Sequence, residues 1–406
     1  MINQINSSDV FSKFKSYQSY QTSKKTNEIV INNSFEKTAK GLAIAGIALL
    51  CAYGIITIIK KNRVNKLEDI TPPNANPDLM ILDTKEKFKE IISGLVHDDY
   101  DSSKTFKANF HIHSNASDGT LHPLEILKQA NNYAQKLPEN EKFSFALTDH
   151  DSLDGVKEIC KEIRKNPEKY KKLNFVPGIE LSSKYSNPEL AENPVELDFL
   201  IYGFNPENEK LSQEISRRKG YLLEKTQSLF KEINEKYPSA GFSIEKMKGI
   251  SDNKQLKNVC SNGYLKALKE YITNSFKEQE IRYSEDFLQS AIMKSFNNSS
   301  IPLDANIDIL SAVELTKEIG GFCALAHPGK FNFHNAGLKT DRLKFSDDIV
   351  SSFIKKGGDG IESHYMAYKP QNATWWSKIR GSFKKLNLNY LRTGGYDTHG
   401  ADIANH

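Results

Sequence analysis

From about residue 107 onward, short apolar runs of strand length recur along the chain. They are ANFHIH (108–113), FSFALT (143–148), NFVPGIEL (174–181), ELDFLIYGF (196–204), GFCALAH (321–327), GDGIES (358–363) and LNYLRTGG (388–395). Between most of them the apolar spacing changes to that of a helix, as in PLEILKQANNYAQKL (123–137) and GVKEICKEIRKN (155–166). Strand–helix alternation of this kind predicts parallel strands in an α/β barrel or a doubly wound sheet. Such folds build their sites at the carboxyl ends of the strands. In this chain His, Asp and Glu gather at those ends.

The alternation breaks between residues 205 and 320. There the pattern is helical, with candidate helices at 210–237, 262–278 and 309–320, and the charge balances at 17 Lys/Arg against 17 Asp/Glu. We read 205–320 as a helical insertion capping the barrel mouth, with 107–204 and 321–406 as the two parts of the barrel. A second independent domain is the alternative. No internal repeat is visible.

The front of the chain has a different character. Residues 1–40 are rich in Ser, Asn, Gln, Thr and Lys with weak periodicity, a composition that predicts disorder. Residues 41–59, GLAIAGIALLCAYGIITII, are nineteen positions without a charge. At about 1.5 Å per residue they nearly match a hydrocarbon core of about 30 Å. A buried core helix is the alternative reading. With Lys60, Lys61 and Arg63 at the headgroups, the expectation is a transmembrane helix over 41–61 and single-pass membrane attachment, followed by a linker and lead-in over 62–106. Basic residues flank the span on both sides, so the positive-inside rule leaves orientation nearly even. The Asn115-Ala116-Ser117 sequon inside a chemically loaded loop tips it toward a cytoplasmic catalytic domain.

Net charge is +4, and residues 1–66 alone carry +7, which leaves −3 for the rest. The basic excess therefore lies outside the folded part, against a long nucleic-acid-binding surface and in favour of a small substrate or short oligonucleotide. The four cysteines, Cys51, Cys160, Cys260 and Cys323, have no paired spacing, so neither a disulfide framework nor a Cys-type zinc site is expected. Metal chemistry must come from His and carboxylates.

His111 and His113 are two apart, and in a strand they project to one face as a chelating pair. His150, in TDHDSLDG, ends a strand between two aspartates, where capping accounts for Asp151 or Ser152 but not for the imidazole. Glu180 lies inside the apolar run PGIEL, where a charge costs several kcal/mol unless paired or metal-bound. His327 closes ALAHPGK, and Asp397 and His399 lie two apart in GGYDTHG. Imidazoles mixed with carboxylates suit Zn²⁺, Mn²⁺ or Fe²⁺ rather than Ca²⁺.

In this order, H-x-H-S…S-D-G, T-D-H-D, P-G-I-E-L-S, A-H-P-G and D-x-H-G resemble the PHP (polymerase and histidinol phosphatase) family over roughly 107–400. The branch most similar contains nucleoside 3′,5′-bisphosphate phosphatases and 5′→3′ exoribonucleases. The resemblance implies a distorted (β/α)₇ barrel holding two or three divalent metals. It implies His111, His113, Glu180 and Asp397 as ligands of one metal, and Asp118, His150 and His399 as ligands of a second. Glu180 would bridge to His327 at a third, where Asp198 stands in place of the family's His. Relatives often carry Arg-Pro-His in the insertion, whereas Ser261-Asn262-Gly263 stands here. Arg217 and Arg218 resemble the branch's basic helix and are candidate substrate-phosphate contacts. Lys330, after the His327 motif, and His364, at a strand end, are further candidates. The implied activity is hydrolysis of a phosphomonoester or phosphodiester of a nucleotide or short RNA by a metal-activated water. The alternatives are a membrane-tethered metal- or phosphate-binding module without turnover and a histidinol-phosphate-type phosphatase.

Overall fold

The computed structural model describes residues 80–95, 108–250, 256, 264–296, 303–334, 336–365, 370–386 and 390–400. The tail, the span expected at 41–61, most of the lead-in and Ser261–Gly263 lie outside these. Among the described residues no helix is long and apolar enough to cross a membrane.

The chain is a mixed α/β near-barrel. Its strands are β1 (Ala108–Asn109), β2 (Phe143–Leu147), β3 (Leu173–Tyr185), β4 (Val195–Tyr202), β5 (Ile307–Asp308), β6 (Phe322–Leu325), β7 (Gly360–Tyr365) and β8 (Leu391–Gly395). They are hydrogen-bonded in the order β1-β2-β3-β4-β6-β7-β8, with β5 attached to β3. Each of the seven apolar runs overlaps one strand of that path. The ends of the path approach each other: Phe110 N–H donates to the Gly394 carbonyl at 3.2 Å, and His113 N–H to the Thr398 carbonyl at 2.9 Å.

The expectation of parallel pairing holds for β1–β2, β2–β3, β6–β7 and β7–β8, and fails at β4, which is antiparallel to both β3 and β6. A parallel neighbour needs a crossover long enough for a helix. The turn-rich SNPELAENP between β3 and β4 has none, so the chain simply folds back. β3 is thirteen residues long because it serves two partners in turn. Residues 173–177 pair with β2, and 178–185 pair with β4.

Helices α1 (Lys85–Leu95), α2 (Pro123–Ala134), α3 (Asp154–Lys165), α8 (Ile309–Glu318), α9 (Arg342–Lys356) and α10 (Pro370–Lys385) belong to the barrel part. The start of α2 is fixed by a capping box. His122 Nδ1 accepts from Leu124 N–H, and Glu125 accepts from His122 N–H at 3.0 Å.

Between β4 and β5 lie α4 (Glu209–Lys236), α5 (Ile244–Ile250), α6 (Tyr264–Glu278) and α7 (Glu285–Phe296). They have an apolar core of their own, with Leu229, Phe230, Leu268, Ile272, Phe276 and Leu288 at its centre. Helix α4 spans both regions. Its Leu211 packs in the barrel core, while Leu222, Leu229 and Ile233 belong to the insertion core.

Candidate metal centre

Past β1 the chain stays extended, and alternation separates its side chains. Ile112 joins the apolar core beside α2 and α3, while His111 and His113 turn inward and are fully buried. After His113 the chain doubles back around Asp149. This buried carboxylate accepts Ser114 N–H at 2.6 Å, Ser114 Oγ–H at 2.7 Å and Ser117 Oγ–H at 2.7 Å. Gly119 closes the loop, since a Cβ there would lie 2.1 Å from the His113 carbonyl oxygen. The loop thereby delivers Asp118 to 3.3 Å from His399 Nε2, 3.7 Å from His113 Nδ1 and 3.8 Å from His150 Nε2.

Glu180 stands at the middle. Its Oε2 lies 3.0 Å from His111 Nε2, 3.2 Å from His113 Nε2 and 3.4 Å from His150 Nε2, and its Oε1 lies 3.2 Å from His327 Nε2. Asp397 Oδ1 lies 3.5 Å from His111 Nε2 and 3.2 Å from His113 Nε2. Asp198, on β4, has Oδ2 3.8 Å from His327 Nε2. The nine residues expected as ligands therefore converge on one place, drawn from within β3 and β4 and from the segments that follow β1, β2, β6 and β8.

Electrostatics there is strongly coupled. Burial would raise the Glu180 carboxyl, but His111 and His150 outweigh it and hold the group well below the usual carboxylate range. Burial would lower His113, and its contacts with Asp397 and Glu180 instead raise it to about 10. His111 is also raised well above its ordinary value, its burial being overcome by Glu180, Glu362 and Asp397. Asp198 moves up to about 6 through burial and the nearby Glu180 charge.

The arrangement fits divalent cations. Donors about 2.1 Å from a shared ion lie roughly 3.0–3.4 Å apart. Most of the separations above are of that size, and four groups of ligand atoms gather within 4.8 Å: His113/Asp118/His150/His399, His111/His113/Glu180, His111/His327/Glu362 and His150/Glu180/Asp198. Both ring nitrogens of His113 are buried without a hydrogen bond of normal geometry, although carboxylate oxygens stand nearby. That suits a cation ligand better than an imidazole locked in a protein hydrogen bond. His113 also joins the group expected to be Asp118, His150 and His399 alone. Three non-glycine residues at the site have positive φ, Asp151 at 47°, His327 at 21° and Asp397 at 49°, strain of a kind that concentrates at functional sites.

Sequence reasoning passed over Glu362 and the carboxylate of Asp149. Glu362, wholly buried on β7, has Oε1 2.8 Å from His111 Nδ1 and accepts His327 N–H on Oε2 at 2.8 Å. The signal was available, because GIES places a carboxylate in an apolar strand just as GIEL does at Glu180. Asn109 was also missed. It donates to Thr398 Oγ1 at 3.1 Å and accepts His111 N–H at 3.2 Å and Tyr396 N–H at 3.1 Å, tying the first strand to the last loop.

The four candidate substrate contacts fare differently. Lys330 reaches the cluster, its Nζ 3.1 Å from Asp397 Oδ2 at the exposed rim. His364 sits on β7 in register with Gly394. Arg218 is not free to meet a phosphate; it is 2% exposed, with Nε 2.9 Å from Asp151. Arg217 is on the surface and engaged by Glu214 at 2.7 Å and by the Ala305 carbonyl at 2.9 Å. The i, i+1 pair cannot share a direction on a helix, so the two arginines divide between core and surface.

No family model matches the chain. A 5′-3′ exoribonuclease of Haemophilus influenzae is 25% identical over 274 residues, covering 64% of this chain and 79% of that protein. The 5′-3′ exoribonuclease Rnm of Escherichia coli is 24% identical, covering 66% and 78%. Among solved structures, an amidohydrolase from Chromobacterium violaceum with bound sulfate and no metal aligns with a TM-score of 0.45 at 18% identity, over 74% of this chain and 90% of that one. A protein from Bifidobacterium adolescentis described as a metal-dependent phosphoesterase aligns with a TM-score of 0.44 at 18% identity, over 72% and 87%. The chain resembles the PHP phosphoesterases in its ordered motifs.

Proposed function

We propose that this chain is a PHP-type metal-dependent phosphoesterase that hydrolyses phosphomonoester or phosphodiester bonds of a nucleotide or short oligonucleotide. The observation that carries the reading is the convergence of five imidazoles and four carboxylates on and around Glu180. The exoribonuclease relatives favour a nucleotide or short RNA as substrate.

Two or three divalent ions held by His111, His113, Asp118, His150, Glu180, Asp198, His327, Asp397 and His399 would supply Lewis-acid charge for phosphoryl oxygens and acidify water. Their identity, Mn²⁺, Zn²⁺ or Fe²⁺, is open to the mixed donor set. The chain's own part is to hold those donors rigid and nearly dry. Glu180 has an oxygen for each side of the cluster. Glu362 fixes the ring of His111. Lys330, at the rim, offers a cation to a substrate phosphate oxygen. Neither described cysteine suits nucleophilic attack, because burial pushes the thiols of Cys160 and Cys323 up to about 12.

The test is turnover by the purified chain with Mn²⁺ on a nucleoside 3′,5′-bisphosphate, a short 5′-phosphorylated RNA and histidinol phosphate. Hydrolysis of the first or second, lost in His111→Ala and Asp397→Ala, is expected. Tight metal uptake with no hydrolysis of any of the three would replace the enzyme by a binding module.

Residues 41–59 are proposed as a single membrane anchor with the barrel on the cytoplasmic side. Support for this comes from the sequence alone, from nineteen positions without a charge and from the sequon at Asn115. Membrane partition of the full chain that survives deletion of 41–61 would remove the anchor.

A further inference from the structure

Arg218 is among the largest fully buried side chains of the molecule, and it belongs to the insertion helix α4 rather than to the barrel. Its Nε lies 2.9 Å from Asp151 Oδ2, and Nη1 donates to Asn306 Oδ1. Both partners lead directly toward the metal centre. The Asp151 carboxylate accepts Ser182 N–H at 3.2 Å and Ser182 Oγ–H at 2.8 Å, and Asp151 N–H donates to the Glu180 carbonyl at 2.9 Å. Asn306 Nδ2 donates to the Ser183 carbonyl at 3.4 Å. Arg218 is therefore tied directly to Asp151, the residue after His150, and through Asp151 and Asn306 to Ser182 and Ser183, two and three residues past Glu180.

Asp151 needs that grip for two reasons. Its backbone has φ of +47°, a conformation that a non-glycine residue keeps only when its surroundings fix it. Its carboxylate is wholly buried, with the Arg218 guanidinium 2.9 Å away as its salt-bridge partner. A one-residue step separates this strained position from His150, whose ring must face Glu180 and Asp118 together.

We infer that Arg218 is a positioning residue: through Asp151 and Asn306 it sets the placement of His150 and Glu180, so the helical insertion governs the geometry of metal ligands that lie on the barrel. The inference rests on the metal-centre reading and deepens it. It also gives this arginine a role distinct from binding a substrate phosphate.

The experiment is a Mn²⁺ titration of the full chain, first stripped by a chelator, against a chromophoric competitor. Wild type is compared with Arg218→Ala, Arg218→Lys and Asp151→Asn, each checked for folding by circular dichroism. The expected result is weakening of at least one Mn²⁺ affinity by about tenfold or more in Arg218→Ala and Asp151→Asn, the scale seen when groups behind metal ligands are lost. Arg218→Lys, which keeps the charge but not the planar fork, should fall between. Wild-type affinity in Arg218→Ala, with only a lowered melting temperature, overturns the inference and leaves a structural ion pair. Should Arg218→Ala not fold, Arg218→Lys decides: weakened affinity supports the inference and wild-type affinity overturns it. A wild-type chain that takes up no Mn²⁺ would remove the metal-centre reading itself, and this inference with it.

Discussion

His111 Nδ1 lies 2.8 Å from Glu362 Oε1, and both side chains are completely buried. A carboxylate on one ring nitrogen fixes a proton there and turns Nε2 toward Glu180, where, once deprotonated, it would ligate a cation. The other oxygen of Glu362 accepts the backbone N–H of His327. Glu362 thus orients two proposed ligands from behind.

Glu362→Gln tests this directly. Both neighbours of the carboxylate are donors in this arrangement, and an amide has only one acceptor oxygen. One donor must then face the NH₂ group. Metal affinity or turnover should drop by about 10–100-fold with the fold retained, read by competitive metal titration and by kcat. Wild-type affinity would show that His111 needs no orienting partner.

Two glycines make the cluster possible by having no side chain. A Cβ on Gly395 would sit 2.4 Å from His111 Cβ and 2.6 Å from its backbone nitrogen, and one on Gly119 would sit 2.1 Å from the His113 carbonyl oxygen. These neighbours are backbone or close to it and cannot swing away. Gly395→Ala and Gly119→Ala should each cost about 1–3 kcal/mol or more through overpacking. Gly220, inside α4, meets nothing within 4 Å, so Gly220→Ala should stabilise by roughly 0.5–1 kcal/mol. Thermal melts of the three variants give the comparison, and equal effects would discredit the steric account.

Much of this site was legible because strand-end chemistry is local. His111 and His113 announce themselves by period-2 spacing, and Glu180 by being a charge in an apolar run. What escaped was what depends on non-local pairing. β4 runs against its neighbours because a nine-residue, turn-rich segment replaces a crossover, a matter of connection length rather than strand pattern. β5 is only two residues long, too short to register as a run. Arg218 and Arg217 read alike in sequence, and only the docking of α4 sends one inward to Asp151 and leaves the other on the surface. Glu362 was readable by the reasoning used for Glu180 but lies beside the more conspicuous His364.

Cation binding should release protons. Without a cation, His113 is raised to about 10 and His111 well above 6.5, so both hold protons at neutral pH. Ligation requires neutral imidazoles. Adding Mn²⁺ or Zn²⁺ to the stripped chain in weak buffer at pH 7 should therefore acidify the solution, and affinity should fall as pH falls. The same shift gives a stability prediction with the opposite slope. His113 has a folded value above its unfolded one, so its contribution to the cation-free chain is complete below about 6.5 and is lost as pH rises toward about 10. Melts of the stripped chain should show stability declining from pH 7 to 10, and saturating metal should restore it. Proton-neutral binding by calorimetry in two buffers would contradict both.

In the proposed metal centre, Asp198 should decide how many ions stay bound. It is the most exposed member of the group it forms with His150 and Glu180, its side chain 30% accessible, and it stands 3.8 Å from His327 Nε2. The other groups, built on His111, His113 and Glu180 and on His113, Asp118, His150 and His399, do not include it. Removing one carboxylate from the rim should then lose one ion and spare the others. Elemental analysis after dialysis should find one equivalent fewer in Asp198→Ala than in wild type. Asp198→His, which exchanges a hard oxygen for an imidazole, should keep the count and shift preference from Mn²⁺ toward Zn²⁺. An unchanged metal count in Asp198→Ala would mean that this position holds no ion and that Asp198 serves only to raise the negative potential at the rim.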